Sequence, residues 1–407
     1  MTNQNPIPAF HDFVQSLYSA RYDEFRAREQ AKVESPEAFE EMRQHLLNLY
    51  EGVEAPHTFL ESEGQIVDCI PAEQQPSLKN SGHKLLAPPS EPPPVPVETY
   101  SKPKGPTSQY RKVPPPQLHP DYFDCLGNQM WCPEGTIPII RTTLEQLSCF
   151  SNLHQFLRSG GNSGVKCWAQ AAEHINNLGG SSYVNVWKPQ VFGVQNSASQ
   201  QWYQSPQAPF VTYQSVECGW RVGTPSPPFD NNPRLFVYFT ANNHACYNLL
   251  CPGSFEQHPD SHVLLGGALK VSQPGGDQYS YLMGFFLTGN AWWFNYEGKW
   301  VGYYRTSLFQ GGPLASNAGS IGFGGETSGI GAFPPMGSGK FPSAGEGNAA
   351  YQRNVTVTPV GGAARPANLT PGQQFPSCYN IDVKNNSSTA WGTYIYFGGP
   401  GGINCRP

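Results

Sequence analysis

Apolar side chains recur at two different spacings along this chain of 407 residues. In the first 52 residues they are three or four apart, which is typical of amphipathic helices with one buried face. Ser35 and Pro36 fit the N-cap and the first position of a helix. We therefore predict two amphipathic helices between residues 10 and 52. The apolar and aromatic residues that recur at helical spacing are Phe10, Phe13, Val14, Leu17, Tyr18, Phe39, Met42, Leu46 and Leu49.

A proline-rich segment follows the helical region. Between Pro88 and Pro120, twelve of 33 residues are proline. Proline has no N–H to donate to a helix or a sheet, so such a run adopts an extended, polyproline-type conformation. We predict a linker, or a segment that wraps around another part of the chain, rather than a domain.

Beyond about Ser159 the pattern changes to short alternating or aromatic runs separated by glycine, proline and asparagine, which predicts β-strands. The runs cover residues 210–220, 235–240, 279–287, 291–304 and 391–397. Glu297 and Gly298 interrupt the fourth run and predict the tip of a hairpin. Because no helical pattern alternates with these strands, the expected fold is an antiparallel β-sandwich or barrel in a single domain.

The composition agrees with turn-rich β structure. The chain contains 43 glycines and 40 prolines, and only 14% of its residues are charged, which argues against a helical bundle or a coiled coil. A formal net charge of −5 has the wrong sign for binding phosphate backbones, and no apolar run reaches the length of a membrane span. We expect neither nucleic acid nor membrane as a partner.

The ten cysteines contain no C-x-x-C pair, which favours disulfides over zinc or redox motifs and predicts an oxidising compartment. Residues 1–8 lack the basic and apolar character of a secretory leader. We nevertheless expect an extracellular, secreted protein. Charge is divided along the chain: residues 1–159 hold 13 basic and 20 acidic side chains, and residues 160–407 hold 12 and 10. An acidic N-terminal half could therefore lie against a slightly basic second half.

Two of the ten carboxylates after residue 160 have unusual settings. Glu217 lies inside a strand-like run, where an acid is disfavoured unless it faces water or has a function. Glu326 follows Gly324 and Gly325 in a stretch rich in glycine. From the residues alone, the alternative is that both acids face solvent. Trp220 follows Glu217 by three residues, so strand alternation places its side chain on the opposite face of the strand. It therefore does not identify a substrate pocket, and we leave the pocket residues unassigned.

Other candidate sites are weaker. His258 and His262 are four residues apart, but Pro259 and Asp260 intervene and no third ligand is evident, so we interpret the pair as part of a surface loop. The chain has no serine-nucleophile signature and no phosphate-binding loop. We expect neither a metal nor a cofactor.

Several ordered motifs resemble those of the neprosin family, a plant-centred family of prolyl endopeptidases. In the second half they are residues 246–253, 301–304, 324–326, 336–342 and 397–401. Upstream, residues 66–70 and 132–138 resemble the family's activation-peptide signatures. The resemblance thus covers most of the chain beyond residue 57.

The resemblance implies a mainly β fold: an antiparallel β-sandwich of two curved sheets, preceded by a helical and proline-rich pro-segment. The helical extension, residues 1–56, is predicted from the apolar spacing and departs from the family pattern. The resemblance implies an activation peptide with its proline-rich linker over residues 57–159 and a catalytic domain over residues 160–407. The pro-segment would act as an intramolecular inhibitor of a zymogen. The implied disulfides join Cys246 to Cys251 and Cys378 to Cys405, and the other six cysteines are left unassigned.

The implied activity is that of a glutamic endopeptidase that cleaves proline-rich proteins or peptides after proline at acidic pH. Carried over by motif, the catalytic pair falls on Glu217 and Glu326. Two carboxylates can supply the base and the proton donor of amide hydrolysis, because like charges in one site raise one pKa. Which glutamate is the base is left open. The alternatives are a glycoside hydrolase that uses two carboxylates and a non-catalytic β-sandwich binding protein.

Overall fold

The computed structural model describes residues 7–79, 81–94, 117–157, 165–193, 195–206, 212–223, 231–403 and 405. The α-helices in these residues are α1 (Phe10–Ser19), α2 (Tyr22–Arg26), α3 (Pro36–Tyr50), α4 (Leu144–Ser148) and α5 (Leu153–Leu157). Short 3₁₀ turns lie at Ala72–Gln74, Pro259–Ser261, Thr306–Phe309, Pro313–Ala315 and Pro342–Ala344.

The remaining regular structure is β. The strands are β1 (His57–Leu60), β2 (Ile66–Pro71), β3 (Thr136–Ile140), β4 (Val165–Glu173), β5 (Gly179–Asn185), β6 (Asn196–Gln204), β7 (Ser215–Gly223), β8 (Arg234–Ala241), β9 (His244–Tyr247), β10 (Glu256–Gln257), β11 (Ser280–Thr288), β12 (Ala291–Tyr296), β13 (Lys299–Arg305), β14 (Ser320–Gly329), β15 (Ala350–Arg353), β16 (Thr356–Val357), β17 (Arg365–Pro366), β18 (Thr370–Gln373), β19 (Asn380–Lys384) and β20 (Tyr394–Gly398).

Two large antiparallel sheets form the second half of the chain. The eight-stranded sheet has the order β10-β13-β12-β11-β5-β15-β20-β19, and the seven-stranded sheet has the order β18-β4-β14-β6-β7-β8-β9. The prediction of a mainly β fold, an antiparallel sandwich of two sheets, is confirmed. The predicted hairpin at Glu297 and Gly298 is also correct, since it joins β12 to β13.

The inner faces of the two sheets pack against each other. Tyr203 of β6 contacts Phe285 of β11 and Trp292 of β12, with ring centroids 5.9 and 6.1 Å apart. Polar groups also cross the interior: Gln201 of β6 donates from Nε2 to the carbonyl oxygen of Met283 at 2.9 Å. Since side chains alternate along a strand, the neighbours of these residues in sequence lie on the outer faces.

The N-terminal residues are helical, as the apolar spacing predicts, although a short third helix, α2, lies between the two long ones. The predicted cap is present: Ser35 Oγ accepts a hydrogen bond from the backbone N–H of Ala38 at 3.1 Å, and Pro36 opens α3. The apolar side of α3 is buried at Phe39, Met42 and Leu46, among other residues. The helices therefore pack into a hydrophobic core that they share with the rest of the chain.

A small sheet of β1, β2 and β3 follows the helices. The Cys69–Cys132 disulfide ties β2 to the segment before β3. Asp68 and Arg141 form an ion pair at 2.6 Å with both side chains buried, so it is shielded from solvent. The turn between β1 and β2 reaches the second half of the chain, because Glu61 Oε1 lies 3.6 Å from Arg234 Nη1.

The two disulfides that the family resemblance implies, Cys246–Cys251 and Cys378–Cys405, are both bonded. Four cysteines are free thiols: Cys125 is exposed, Cys149 is half-buried, and Cys167 and Cys218 are buried. Within the described residues, no helix is both long and apolar enough to cross a bilayer.

The first part of the proline-rich segment lies beside the eight-stranded sheet, because Trp300 Nε1 donates to the carbonyl oxygen of Glu91 at 3.1 Å. Leu86, just before the segment, packs on the cluster of Trp293 and Tyr303. This agrees with a wrapping segment for residues up to 94. Most of the remainder of the predicted linker, residues 95–116, lies outside the described residues. The proposed domain limits at residues 56 and 159 stay predictions.

Candidate active site

Three adjacent strands of the seven-stranded sheet bring Glu217 and Glu326 to one outer face. Glu326 of β14 pairs with Ala198 of β6, and Glu217 of β7 pairs with Trp202 of the same strand. Cross-strand partners point to the same face of a sheet, and residues 198 and 202 share a face because an even number of residues separates them. The two carboxylates therefore stand on the same surface, on strands separated by β6.

Two glycines leave most of the sheet surface between the two glutamates free of side chains. Gln200 of β6 pairs with Gly219 of β7 on one side and with Gly324 of β14 on the other. A Cβ atom at either glycine would lie about 2.1 Å from a backbone carbonyl oxygen of the next strand. No larger residue fits at these positions, so the row between the two glutamates carries only the side chain of Gln200.

Glu217 is 8% exposed and both of its carboxylate oxygens are hydrogen-bonded. Ser215 Oγ donates to Oε1 at 2.6 Å, and Gln200 Nε2 donates to Oε2 at 2.8 Å. Burial raises the pKa of Glu217 to about 7, more than these hydrogen bonds lower it. Glu217 therefore holds its proton through the acidic range.

Glu326 is 9% exposed but has different partners. Trp168 Nε1 donates to Oε2 at 2.7 Å, and Lys166 Nζ lies 3.0 Å from Oε1. Both partners come from β4, which pairs with β14. An ammonium group and an indole N–H both suit the negatively charged form of a carboxylate.

The two glutamates interact through space. Among the hydrogen bonds of the described residues, none joins Glu217 to Glu326, but the charge of Glu326 contributes to the raised pKa of Glu217. The positive charge of Lys166 acts in the opposite direction on Glu217. The arrangement therefore places Glu217, whose pKa is raised, on the same face as Glu326, whose carboxylate is paired with a cation.

Residues next to Glu217 in sequence lie on the other face of the sheet. Trp220 is fully buried and its Nε1 donates to the carbonyl oxygen of Asn185 in the sandwich interior at 2.8 Å, so the expectation that it points away from Glu217 is confirmed. Cys218 is also buried on this inner face. Neither residue lies on the outer face that carries the two glutamates.

Other aromatic side chains lie beside Glu217 on this outer face. Trp202 and Tyr238 are the cross-strand partners of Glu217 on its two sides. Tyr238 packs on Tyr247 of β9, with ring centroids 4.3 Å apart, and Arg221 lies over the Tyr247 ring at 4.9 Å. The outer face around Glu217 is thus rich in aromatic side chains.

His258 and His262 do not belong to the site formed by the two glutamates. His258 Nδ1 lies 3.5 Å from Asp260, and His262 stacks on Trp131 of the N-terminal half at 3.8 Å. In the described part of the chain, no group of three or more histidine, cysteine, aspartate or glutamate side chains is placed to bind a metal ion.

The hydrogen-bond and ion-pair partners of both glutamates were not predicted from the sequence. Ser215 could have been found, because it lies two residues before Glu217 and so shares its face of the strand. Gln200, Lys166 and Trp168 had no such signal, since they reach the site only through strand pairing. Trp168 is 158 residues away from Glu326 in the sequence.

The fold and the site define a β-sandwich protein with a pair of buried glutamates on the outer face of one sheet. A family model described as Neprosin matches residues 193–400, about half of the chain. The protein belongs to the neprosin family. The matched region contains both Glu217 and Glu326, whereas Lys166 and Trp168 lie before it.

Solved structures with a related arrangement of strands include scytalido-glutamic peptidase with a transition state analog inhibitor, at 8% identity and a TM-score of 0.31. Another is SCP-B, a member of the eqolisin family of peptidases, in complex with the tripeptide Ala-Ile-His, at 9% identity and a TM-score of 0.30. Each alignment covers 58% of this chain and 99% of the other.

The κ-carrageenase from Pseudoalteromonas carrageenovora, in complex with an oligotetrasaccharide of κ-carrageenan, also matches, at 9% identity and a TM-score of 0.23. This alignment covers 57% of the present chain and 67% of the carrageenase. At such scores, neither the peptidases nor the carrageenase decide the activity of this protein. Family membership and the geometry of the two glutamates together support a glutamic-type peptidase.

Proposed function

We propose that the protein is a secreted glutamic endopeptidase, made as a zymogen, that hydrolyses peptide bonds after proline at acidic pH. The observation that carries the proposal is the unequal pair of carboxyl groups on one face. Burial raises the pKa of Glu217 to about 7, whereas Glu326 lies beside a cation, with Lys166 Nζ at 3.0 Å. The pair offers an acid and a base at the same pH.

The unequal environments support the following roles for the two glutamates. Glu326, as carboxylate, takes a proton from a water molecule, whose oxygen forms a bond to the carbonyl carbon of the substrate. Glu217, as carboxylic acid, gives its proton to the carbonyl oxygen. When the tetrahedral intermediate collapses, the C–N bond breaks and the proton held by Glu326 passes to the leaving nitrogen. Return of a proton to Glu217 as the carbonyl re-forms restores the starting state.

The partners of each glutamate support these roles. Ser215 and Gln200 fix both oxygens of Glu217, which limits its rotation. Trp168 and Lys166 hold Glu326 from the side of β4. Positioned groups of this kind avoid reorganisation during the reaction, which is a main source of catalytic power.

The preference for proline is supported by the surface around Glu217. Trp202 is almost fully buried beside Glu217, and Tyr238 flanks it on the other side. Flat aromatic side chains suit the ring of proline, and a site for proline has no backbone N–H to satisfy at that residue. We propose that the proline before the scissile bond lies against the ring of Tyr238, which is only half-buried.

Latency is supported by one contact of the N-terminal region. His45 of α3 is buried against the backbone of Leu250, and burial lowers its pKa to about 4. The stability that neutral His45 provides is therefore lost as the pH falls from about 6.5 towards 4. Glu61 acts in the opposite direction, because burial raises its pKa. Of these two groups, His45 is therefore the one whose titration favours acid release of the N-terminal region.

The test is incubation of the purified full-length chain with a proline-rich protein between pH 3 and pH 7, followed by mass spectrometry of the products. We expect new C termini at proline, and cleavage only after acid treatment of the chain. Matched short peptides with proline or alanine before the scissile bond measure the preference as a ratio of kcat/KM. Equal values would remove proline specificity, and a chain fully active at neutral pH without cleavage would remove latency.

A further inference from the structure

The outer face of the eight-stranded sheet carries a continuous aromatic surface, formed by Phe286 of β11, Trp293 of β12, and Trp300 and Tyr303 of β13. The ring of Trp293 lies 4.4 Å from that of Tyr303 and 6.2 Å from that of Trp300. Phe286 meets Trp300 edge-on at 5.9 Å. We call these four residues the aromatic platform. It faces away from the sandwich interior, because Trp292 and Phe294 alternate with its members and point inward.

Residues 84–94 of the same chain lie on this platform. The Leu86 N–H donates to Tyr303 Oη at 2.7 Å, and Trp300 Nε1 donates to the carbonyl oxygen of Glu91 at 3.1 Å. Tyr303 is fully buried and Trp293 is 3% exposed. A large apolar surface on a sheet is thus covered by a segment that belongs to no sheet or helix.

The covering segment has a distinctive chemistry. Residues 88–94 read Pro-Pro-Ser-Glu-Pro-Pro-Pro, a composition that adopts the polyproline II conformation. In this conformation the carbonyl groups make no internal hydrogen bonds and are free to accept from a partner. Grooves that recognise such segments combine flat aromatic rings with a few donors aimed at these carbonyls.

Trp300 of the platform supplies one such donor, and Arg305 at the end of β13 supplies another to the chain just before the proline run. The indole N–H of Trp300 meets the carbonyl group of Glu91, and Arg305 Nη2 donates to the carbonyl oxygen of Lys84 at 2.6 Å. Arg305 is itself fixed by Glu256, which accepts from its Nη2 at 2.8 Å and also accepts from the Tyr303 hydroxyl. The donors are therefore held in place by the sheet rather than by the covering segment.

We propose that the aromatic platform is a binding site for polyproline II segments, occupied by residues 84–94 in the full chain and open to a proline-rich stretch of a protein substrate once that segment detaches. The identity of the ligand as a substrate rests on the proposed function, whereas the binding chemistry does not. Because the platform and the two glutamates lie on opposite outer faces, the site would raise the local concentration of a long substrate without contacting the scissile bond.

The test uses the full chain with Glu217→Gln, so that no peptide is consumed, and with Pro88, Pro89, Pro92 and Pro93 replaced by glycine to weaken the intramolecular segment. The probe is a fluorescently labelled synthetic peptide with the sequence of residues 84–94. Anisotropy should show saturable binding. The chain with its own prolines should bind at least tenfold more weakly, because the tethered segment competes at an effective concentration of about millimolar.

Three controls sharpen the result. A peptide with glycine in place of its prolines should not bind. Trp300→Phe, which keeps an aromatic ring but removes the N–H donor, should weaken binding roughly fivefold. Trp391→Phe is the matched control, since Trp391 packs on Tyr351 elsewhere on the sandwich, and it should leave binding unchanged.

The proposal is overturned if the labelled peptide shows no saturable binding, or if the proline and glycine peptides bind equally. If the glycine variant does not fold, the Glu217→Gln chain with its own prolines takes its place, with several millimolar peptide and the same comparison of peptides. The proposed function is judged separately: undiminished peptide cleavage by the Glu217→Gln chain would contradict it and would leave the binding result intact.

Discussion

The two outer faces of the sandwich differ in the chemistry that they present and in what covers them. The seven-stranded sheet shows Glu217, Glu326 and Gln200 beside two glycines, with aromatic rings at the border. The eight-stranded sheet shows the aromatic platform, with Trp293 only 3% exposed beneath residues 84–94. One face concentrates buried ionisable groups, and the other concentrates apolar area.

One face of the fold therefore carries groups that can react, and the other carries a surface that can bind a ligand. Buried carboxylates cost stability but can transfer protons, whereas packed rings stabilise the fold and can hold a ligand but cannot catalyse hydrolysis. Substitutions on the first face should therefore change rate with little loss of folding. Substitutions on the second should change stability or binding with little loss of rate.

The largest effect is expected on the glutamate face. Glu217→Gln and Glu326→Gln should each lower kcat about a thousandfold or more, because an amide keeps the shape but cannot exchange the proton. The measurement is cleavage of a short proline-containing peptide at pH 4 to 5, with the folded fraction checked by circular dichroism.

Glu346→Gln is the matched control, since Glu346 lies in an exposed turn of the same half of the chain. It should leave the rate unchanged. If Glu217→Gln or Glu326→Gln kept nearly full activity in a folded protein, that residue would have no place in the mechanism.

The fold was partly predictable because some strands carry strong patterns. The β12–β13 hairpin combines aromatic alternation with a turn at Glu297 and Gly298, and both features are local. β6 was not predicted, since Ser197, Ser199 and Gln201 face the interior where apolar residues are expected. Their polar groups find partners on distant strands, and a local pattern does not contain that information.

The site shows the same limit. Glu217 and Glu326 could be singled out because acids are rare in this half and each has an unusual neighbourhood. Their unequal character could not be predicted, because it arises from burial and from Lys166 and Trp168 on β4. Those contacts depend on the pairing of β4 with β14, which only the folded chain establishes.

On the aromatic face, Trp293→Ala should lower the free energy of unfolding by about 4 kcal/mol, since it removes a nearly buried ring from the platform. The folded fraction should still cleave a short peptide at an unchanged rate. Trp168→Phe should have the opposite effect and lower the rate of peptide cleavage with little loss of stability, because it removes the N–H that contacts Glu326 and keeps an aromatic ring. Chemical denaturation and peptide cleavage, measured on both variants, decide whether the two faces are separable.

A smaller effect links the glutamate face to stability. Burial raises the pKa of Glu217 to about 7, so the folded chain holds this proton more tightly than the unfolded chain does. The resulting stability is fully present below about pH 4.5 and is lost as the pH rises through about 7, a change of about 3 kcal/mol. Glu217→Gln should therefore flatten the dependence of urea stability on pH between 4 and 8. An equally steep dependence in the variant would place its origin elsewhere.

The smallest effect concerns Lys166, whose side chain is 45% exposed and lies 3.0 Å from Glu326 Oε1. Its charge also lowers the pKa of Glu217, so Lys166→Gln should let Glu217 keep its proton to higher pH. Because solvent screens a half-exposed ammonium, we expect the alkaline limb of the kcat/KM profile to move up by only about half a pH unit. Lys166→Arg keeps the charge and should leave the limb in place. A shift of equal size in both variants would mean that the side chain acts through packing, and the unequal charges of the glutamate face would then depend on burial alone.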